Sequence, residues 1–141
     1  MRLLGLDIGE RRIGIAVSDE LGMTAQGVNT LFRSNLQDDI SRLAQIVREW
    51  SANKIVVGLP RNMNGTYGPQ TQKVKDFIEG LTAEIPVEVI YWDERLTTVA
   101  AERTLLEGNV SRKKRKNVID KLAAVMILQG YLDRASLSRF N

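Results

Sequence analysis

The first third of the chain sorts its hydrophobic residues into short runs. Leu3 to Ile8 is apolar apart from one acid, Asp7, and the polar turn Gly9-Glu10-Arg11-Arg12 separates it from a second run, Ile13 to Ser18. Two such runs joined by a tight polar turn predict a β-hairpin. Gly22 marks the next turn, and Met23 to Phe32 is the predicted third strand, so three antiparallel strands open the chain. From Asn35 the period changes. Leu36, Ile40, Leu43, Val47 and Trp50 recur at helical spacing behind an Asn cap, with Asp38 and Asp39 in the first turn.

The remainder alternates between the two periods. Lys54 to Gly58 is a short β-branched strand, and Pro60 to Pro69 is a loop punctuated by Gly65 and Gly68. Pro69, with its fixed φ, suits the first position of a helix that turns Val74, Phe77, Ile78 and Leu81 inward. Val87 to Trp92 reads as another strand, and Thr97 or Thr98 caps a helix running to about Glu107. A basic loop follows, then a last helix over Asn117 to Arg134 with Val118, Leu122, Val125, Met126, Leu128 and Leu132 as its apolar positions. This order predicts an α/β fold: a mixed sheet, three antiparallel strands and then parallel ones, flanked by helices. At 141 residues, 1–141 is expected to form a single domain.

Composition narrows the chemistry more than the fold. Without Cys there is no thiolate nucleophile, disulfide or zinc–thiolate site, and without His there is no imidazole catalysis. Any metal site must use oxygen donors, the ligand set of Mg²⁺ and Mn²⁺. A net charge of +3 and a pI near 9.4 lean towards an anionic partner. Asp7 and Glu10 interrupt what a signal peptide would need as an apolar core, and no apolar run approaches the roughly 20 residues that cross a bilayer. The expectation is a soluble, cytoplasmic protein with no membrane partner.

Three carboxylates stand out. An acid inside an apolar strand costs several kcal/mol unless compensated, so Asp7 either faces solvent, pairs with Arg11 or Arg12, or ligates a metal. Gly5 and Gly9 flank it and leave room for a substrate backbone. Glu94 follows the strand that ends at Trp92, where open α/β sheets bind ligands; it could equally be a surface acid, with Asp93 as its substitute. Asp120 shares a helical face with Ala123, Ala124 and Ile127, small enough to let the helix approach a sheet, although an acid early in a helix also opposes the dipole. If the three converge, their repulsion calls for cations, and two metals about 3.5–4 Å apart serve in-line phosphodiester cleavage. Arg112-Lys113-Lys114-Arg115-Lys116 lies just before Asp120 and reads as either a solvated loop or a phosphate clamp, with Arg11 and Arg95 as further phosphate contacts. On duplex DNA each neutralised phosphate contributes a salt slope of roughly −0.9.

Taken together, Asp7-Ile8-Gly9, Gly14-Ile15-Ala16, Ser18-Asp19, Gly58-Leu59-Pro60 to Gly65, Asp93-Glu94-Arg95-Leu96-Thr97-Thr98 and Ser111 to Asp120 closely resemble the bacterial YqgF family, also called RuvX-like, in matching order from about Arg2 to Leu132. The resemblance implies a ribonuclease-H-like fold related to the RuvC Holliday-junction resolvases. It also implies a nuclease that processes the 5′ end of pre-16S rRNA in ribosome biogenesis, with ribosomal particles as possible partners. The family's acidic site maps onto Asp7, Glu94 and Asp120, as catalytic residues and as ligands of Mg²⁺ or Mn²⁺. A fourth carboxylate typical of the resolvases has no clear equivalent, since Asp133 is too far along the last helix. Three other readings compete. A Holliday-junction nuclease would cut branched DNA in two coordinated places. A non-catalytic nucleic-acid-binding module would keep the fold alone. The actin-like ATPases and sugar kinases share a loop like Leu6-Asp7-Ile8-Gly9, but need two such domains.

Overall fold

A computed structural model describes residues 2–60, 66–94 and 112–139; for 112–120 and 137–139 the description covers the backbone. Five strands form one sheet: β1 (Arg2–Ile8), β2 (Arg12–Ser18), β3 (Ala25–Phe32), β4 (Ala52–Leu59) and β5 (Glu88–Asp93). Among the described residues three helices accompany them: α1 (Leu36–Glu49), α2 (Pro69–Glu84) and α3 (Arg112–Arg139). The strand order is β3-β2-β1-β4-β5, with β1, β2 and β3 antiparallel and β4 and β5 parallel to β1. The expected mixed sheet is therefore observed. The expected helix from Thr97 or Thr98 to Glu107 lies outside the described residues.

Each element forms for a local reason. The β1–β2 turn closes through Gly9 N–H donating to the Arg12 carbonyl at 2.9 Å, and a Cβ on Gly9 would fall 2.9 Å from that same oxygen. The turn after β2 is built on Asp19, whose Oδ1 accepts from Met23 N at 2.7 Å and Thr24 N at 3.1 Å, while Gly22 supplies a φ of 69°. The Asn35 side chain caps α1 by accepting from Asp38 N, as its position predicts. Pro69 stands at the start of α2 behind Gly68, and the Thr71 hydroxyl donates to the Pro60 carbonyl at 2.6 Å, tying that helix to the end of β4.

Alternation along the strands divides the interior in two. Leu4, Leu6, Ile8, Ile13, Ile15, Val17, Ile55, Val57 and Leu59 face α1 and α2, where they pack on Leu43, Val47, Phe77, Ile78 and Leu81. Side chains of this size contribute about 1.5–3 kcal/mol each when fully buried. The opposite face carries Leu3, Ala16, Val56 and Trp92 and is covered by Ala124, Ile127, Leu128 and Leu132 of α3. A Cβ on Gly5 would lie 2.6 Å from Leu128 Cβ and 2.9 Å from the Ala124 carbonyl, so α3 rests almost directly on the backbone of β1. Gln129 fastens it, accepting from Ala25 N at 2.9 Å and donating to the Met23 carbonyl at 3.0 Å.

Three details depart from the sequence pattern. The run Arg112 to Lys116 is not a loop but the first turns of α3, which begins five residues before the expected Asn117. Lys and Arg are good helix formers, and the run contains no Gly or Pro to stop them. Leu36, expected to face inward, is 57% exposed. Asp39 is in the first turn as expected, but it is also buried and pairs with Arg33 at 3.1 Å, which the sequence pattern does not show.

Candidate functional site

Strands β1, β4 and β5 run parallel, so their carboxyl ends share one edge of the sheet, where open α/β sheets hold ligands. Asp7 stands at that end of β1, half-buried, on the α3 face by alternation with Leu6 and Ile8. Its partner in β2 is Gly14. On the other side Gly5 pairs with Val56 and Leu6 with Val57, and Asp7 and Gly58 are the next residues of the two strands. Adjacent strands lie about 4.8 Å apart. Neither Gly14, paired with Asp7 in β2, nor Gly58 in β4 puts a side chain of its own on this face. Of the flanking glycines that sequence singled out, Gly5 instead admits α3 and Gly9 closes the turn.

Glu94 comes to the same place from the far edge. A Cβ on Gly58 would lie 2.7 Å from Glu94 Oε1 and 3.1 Å from its Cγ, so this carboxylate occupies the space a side chain there would fill. The same Cβ would lie 2.5 Å from Ile127 Cδ1, which places Glu94 under α3, on the face Asp7 uses. Asp93 pairs with Leu59, whose side chain belongs to the α1/α2 core, so alternation directs Asp93 to the opposite face. The substitution of Asp93 for Glu94 that sequence left open is thereby disfavoured by register.

Asp120 lies about two turns inside α3 rather than at its start, beyond the first turn over which a helix dipole acts. Ala123, Ala124 and Ile127, expected to share its face, are all buried against the sheet. The description of Asp120 stops at its backbone, as it does for Arg112, Lys113, Lys114, Arg115 and Lys116, and Arg95 lies outside the described residues. Among the described residues, Asp7 and Glu94 are thus brought together, and no group of three acids is complete. Asp133 is exposed and bonded to Gln129 at 2.8 Å, 13 residues beyond Asp120 and so roughly 20 Å along the helix axis. Carboxylate oxygens fit Mg²⁺ or Mn²⁺, and the chain has no Cys thiolate or His imidazole to offer instead.

Arg11 is exposed at the hairpin tip on this same edge. Behind the tip, Arg33 holds the turn: its Nη1 donates to the Gly9 carbonyl at 2.8 Å and its own N–H to the Arg11 carbonyl at 2.9 Å. The guanidinium stacks 4.9 Å from the centre of the Phe77 ring and pairs with buried Asp39, which also accepts from Ser34 N at 2.9 Å. Sequence reasoning missed this clamp. Asp39 reads as an ordinary helix-start acid, and only the fold brings Arg33 to it.

The RuvX family model, described as "RuvX: Holliday junction resolvase", matches residues 1–134. This chain belongs to the RuvX family. Among its RuvX relatives, proteins named "Putative pre-16S rRNA nuclease" include one from Clostridium tetani, 59% identical over 94% of this chain and 96% of the relative. One from Clostridioides difficile is 61% identical over 94% of each chain. A third, from Halalkalibacterium halodurans, is 57% identical over 97% of this chain and 99% of the relative. Among solved structures, Thermus thermophilus RuvC in complex with a Holliday junction substrate superposes with a TM-score of 0.67 at 12% identity, covering 97% of this chain and 96% of that one. Thermus thermophilus RuvC alone gives 0.61 at 14% identity. The fold of this RuvX protein is therefore the ribonuclease-H-like fold that the motifs implied.

Proposed function

We propose that this protein is a single-domain, metal-dependent nuclease that hydrolyses phosphodiester bonds of precursor 16S rRNA during ribosome maturation. The observation that carries the reading is the Glu94 carboxylate seated on Gly58, one strand from Asp7, at the carboxyl edge of the parallel strands. Asp7, Glu94 and Asp120 are the proposed catalytic carboxylates and the ligands of Mg²⁺ or Mn²⁺. A divalent cation bound there supplies Lewis-acid stabilisation of the charge that develops on the phosphate oxygens. The glycine at 58 leaves the room that the Glu94 carboxylate takes up, and the glycine at 14 puts no side chain of its own beside Asp7.

Arg11, Arg95 and the run from Arg112 to Lys116 are the proposed phosphate contacts. The run opens α3, where cations oppose the helix dipole at about 0.3–1 kcal/mol each, and binding of an anionic strand reverses that cost. RNA is favoured over branched DNA because relatives above half identity carry the rRNA nuclease name. The family description favours a second reading, cleavage of Holliday junctions, although Asp133 sits far from the proposed site. Among the described residues no helix is long and apolar enough to cross a membrane, and the proposed place of work is the cytoplasm, on ribosomal particles.

The test is cleavage of end-labelled precursor rRNA and of a four-way DNA junction in Mg²⁺, Mn²⁺ or chelator, by the wild type and Glu94→Gln. Metal-dependent cutting of the RNA that the variant loses supports the proposal. Cutting confined to the junction moves the reading to DNA. Cutting of neither substrate leaves a non-catalytic nucleic-acid-binding module.

A further inference from the structure

Strand β5 forms one edge of the described sheet. Its two faces differ. Trp92 packs under α3, and Tyr91, the next residue back, faces the α2 side with 40% of its surface exposed. Tyr67, just before the Gly68 cap of α2, is 51% exposed. One cation joins the two rings: Lys75 Nζ lies 5.2 Å from the centre of Tyr67 and 5.9 Å from that of Tyr91. In a chain of three tyrosines, three phenylalanines and two tryptophans, two rings left at the surface around a single ammonium call for a reason.

We propose that Tyr67, Lys75 and Tyr91 form a binding site for single-stranded RNA that leads the substrate to the acidic edge. Flat rings beside a cation are how proteins hold single strands: bases stack on the rings while the charge meets the backbone. A duplex hides its base faces and gains little from such a surface. Tyr91 precedes Glu94 by three residues, about 10 Å of extended chain, and the two side chains leave opposite faces of β5, so a strand passing from the rings to the acids rounds this edge of the described sheet. Lys75, 5.2 Å and 5.9 Å from the two ring centres, places Tyr67 beside Tyr91 at this corner of the sheet. Lys73, also on α2, turns instead to the hairpin, where it pairs with Glu10 at 3.7 Å. The acids beside this surface are Asp93, two residues after Tyr91 and on the same face of β5 by alternation, and Glu79; partial burial and then the Glu79 charge raise the Tyr91 phenol above its ordinary range.

The inference deepens the nuclease reading and rests on it for the direction of the path, yet its test is separate. Binding is measured with Asp7→Asn protein, which holds RNA without cutting it, using a fluorescein-labelled unstructured RNA and a blunt RNA duplex of equal length. Adding Tyr67→Ala or Tyr91→Ala is expected to weaken single-strand binding about 5- to 10-fold, the low end of what one stacked base contributes, and to change duplex binding less than twofold. Tyr67→Phe and Tyr91→Phe keep the rings and are expected to bind as the parent does. Unchanged single-strand affinity, or equal losses on strand and duplex, or losses with Phe as large as with Ala, overturns the site. If wild-type protein cuts no RNA while the ring-dependent binding persists, the nuclease reading fails and this one stands.

Discussion

The two faces of the sheet are built from alternate residues of the same strands and are made for different ends. Leu4, Leu6 and Ile8 of β1 enter a core of large branched side chains beneath α1 and α2. Gly5 and Asp7, between them, face α3 with no hydrocarbon larger than a methylene, and Gly14, Ala16 and Gly58 continue this poverty into the neighbouring strands. The first face gains its energy from area. The second gives up area so that a helix can lie against backbone and two carboxylates can stand beside bare peptide. A period of two residues is enough to separate stability from chemistry, because neighbouring side chains on a strand never share a surface.

Breaking the first face is expected to give the largest loss of stability. Asp39 is 1% exposed and holds Arg33 against the hairpin turn and Phe77. Asp39→Ala leaves that guanidinium without its carboxylate and is expected to lower unfolding stability by about 3–5 kcal/mol, read by chemical denaturation.

On the second face two glycines sharpen the contrast. Gly5→Ala drives a methyl into the Ala124 carbonyl and Leu128, and is expected to cost about 1–3 kcal/mol by lifting α3. Gly58→Ala presses instead on Glu94 Oε1 and the flexible tip of Ile127. Its stability cost is expected to be the smaller of the two, but cleavage should fall by about a hundredfold, since misplacing a reacting group by about 1 Å has that effect. Equal rates for the two alanine variants in a single-turnover assay would erase the distinction.

The smallest expected effect lies away from both faces. Amides of Thr24 and Met23 hold the Asp19 carboxyl below its ordinary 3.8. A depressed value in the folded state contributes stability above the unfolded value, and that contribution disappears as pH falls through the folded one. The difference in unfolding temperature between wild type and Asp19→Asn should therefore shrink as pH falls below about 4.

Much of this was legible in the sequence. The hairpin, the capped α1 and the Pro69 start of α2 follow from local patterns, and local patterns suffice where each element's period agrees with its burial. Asp7 stood out because an acid in an apolar strand needs a reason. What was not legible depends on register. The roles of Gly14 and Gly58 arise only from strand pairing, and the Arg33–Asp39 clamp closes only when β3 and α1 meet the β1–β2 turn. The start of α3 was missed because five cations look like a solvated loop, although each is a good helix former.

The most direct test sets two neighbouring residues against each other, Leu6→Ala and Asp7→Asn, each measured for unfolding stability and for metal-dependent cleavage of precursor rRNA under single turnover. Leu6→Ala is expected to lose about 2–5 kcal/mol while its folded fraction cuts at the wild-type rate. Asp7→Asn should keep or gain stability and lose cleavage by roughly a hundredfold or more, beyond what loss of an outer-shell contact costs a metal site. A destabilised Asp7→Asn that cuts normally, or a Leu6→Ala protein folded at wild-type stability but inactive, would contradict the division of labour between the two faces.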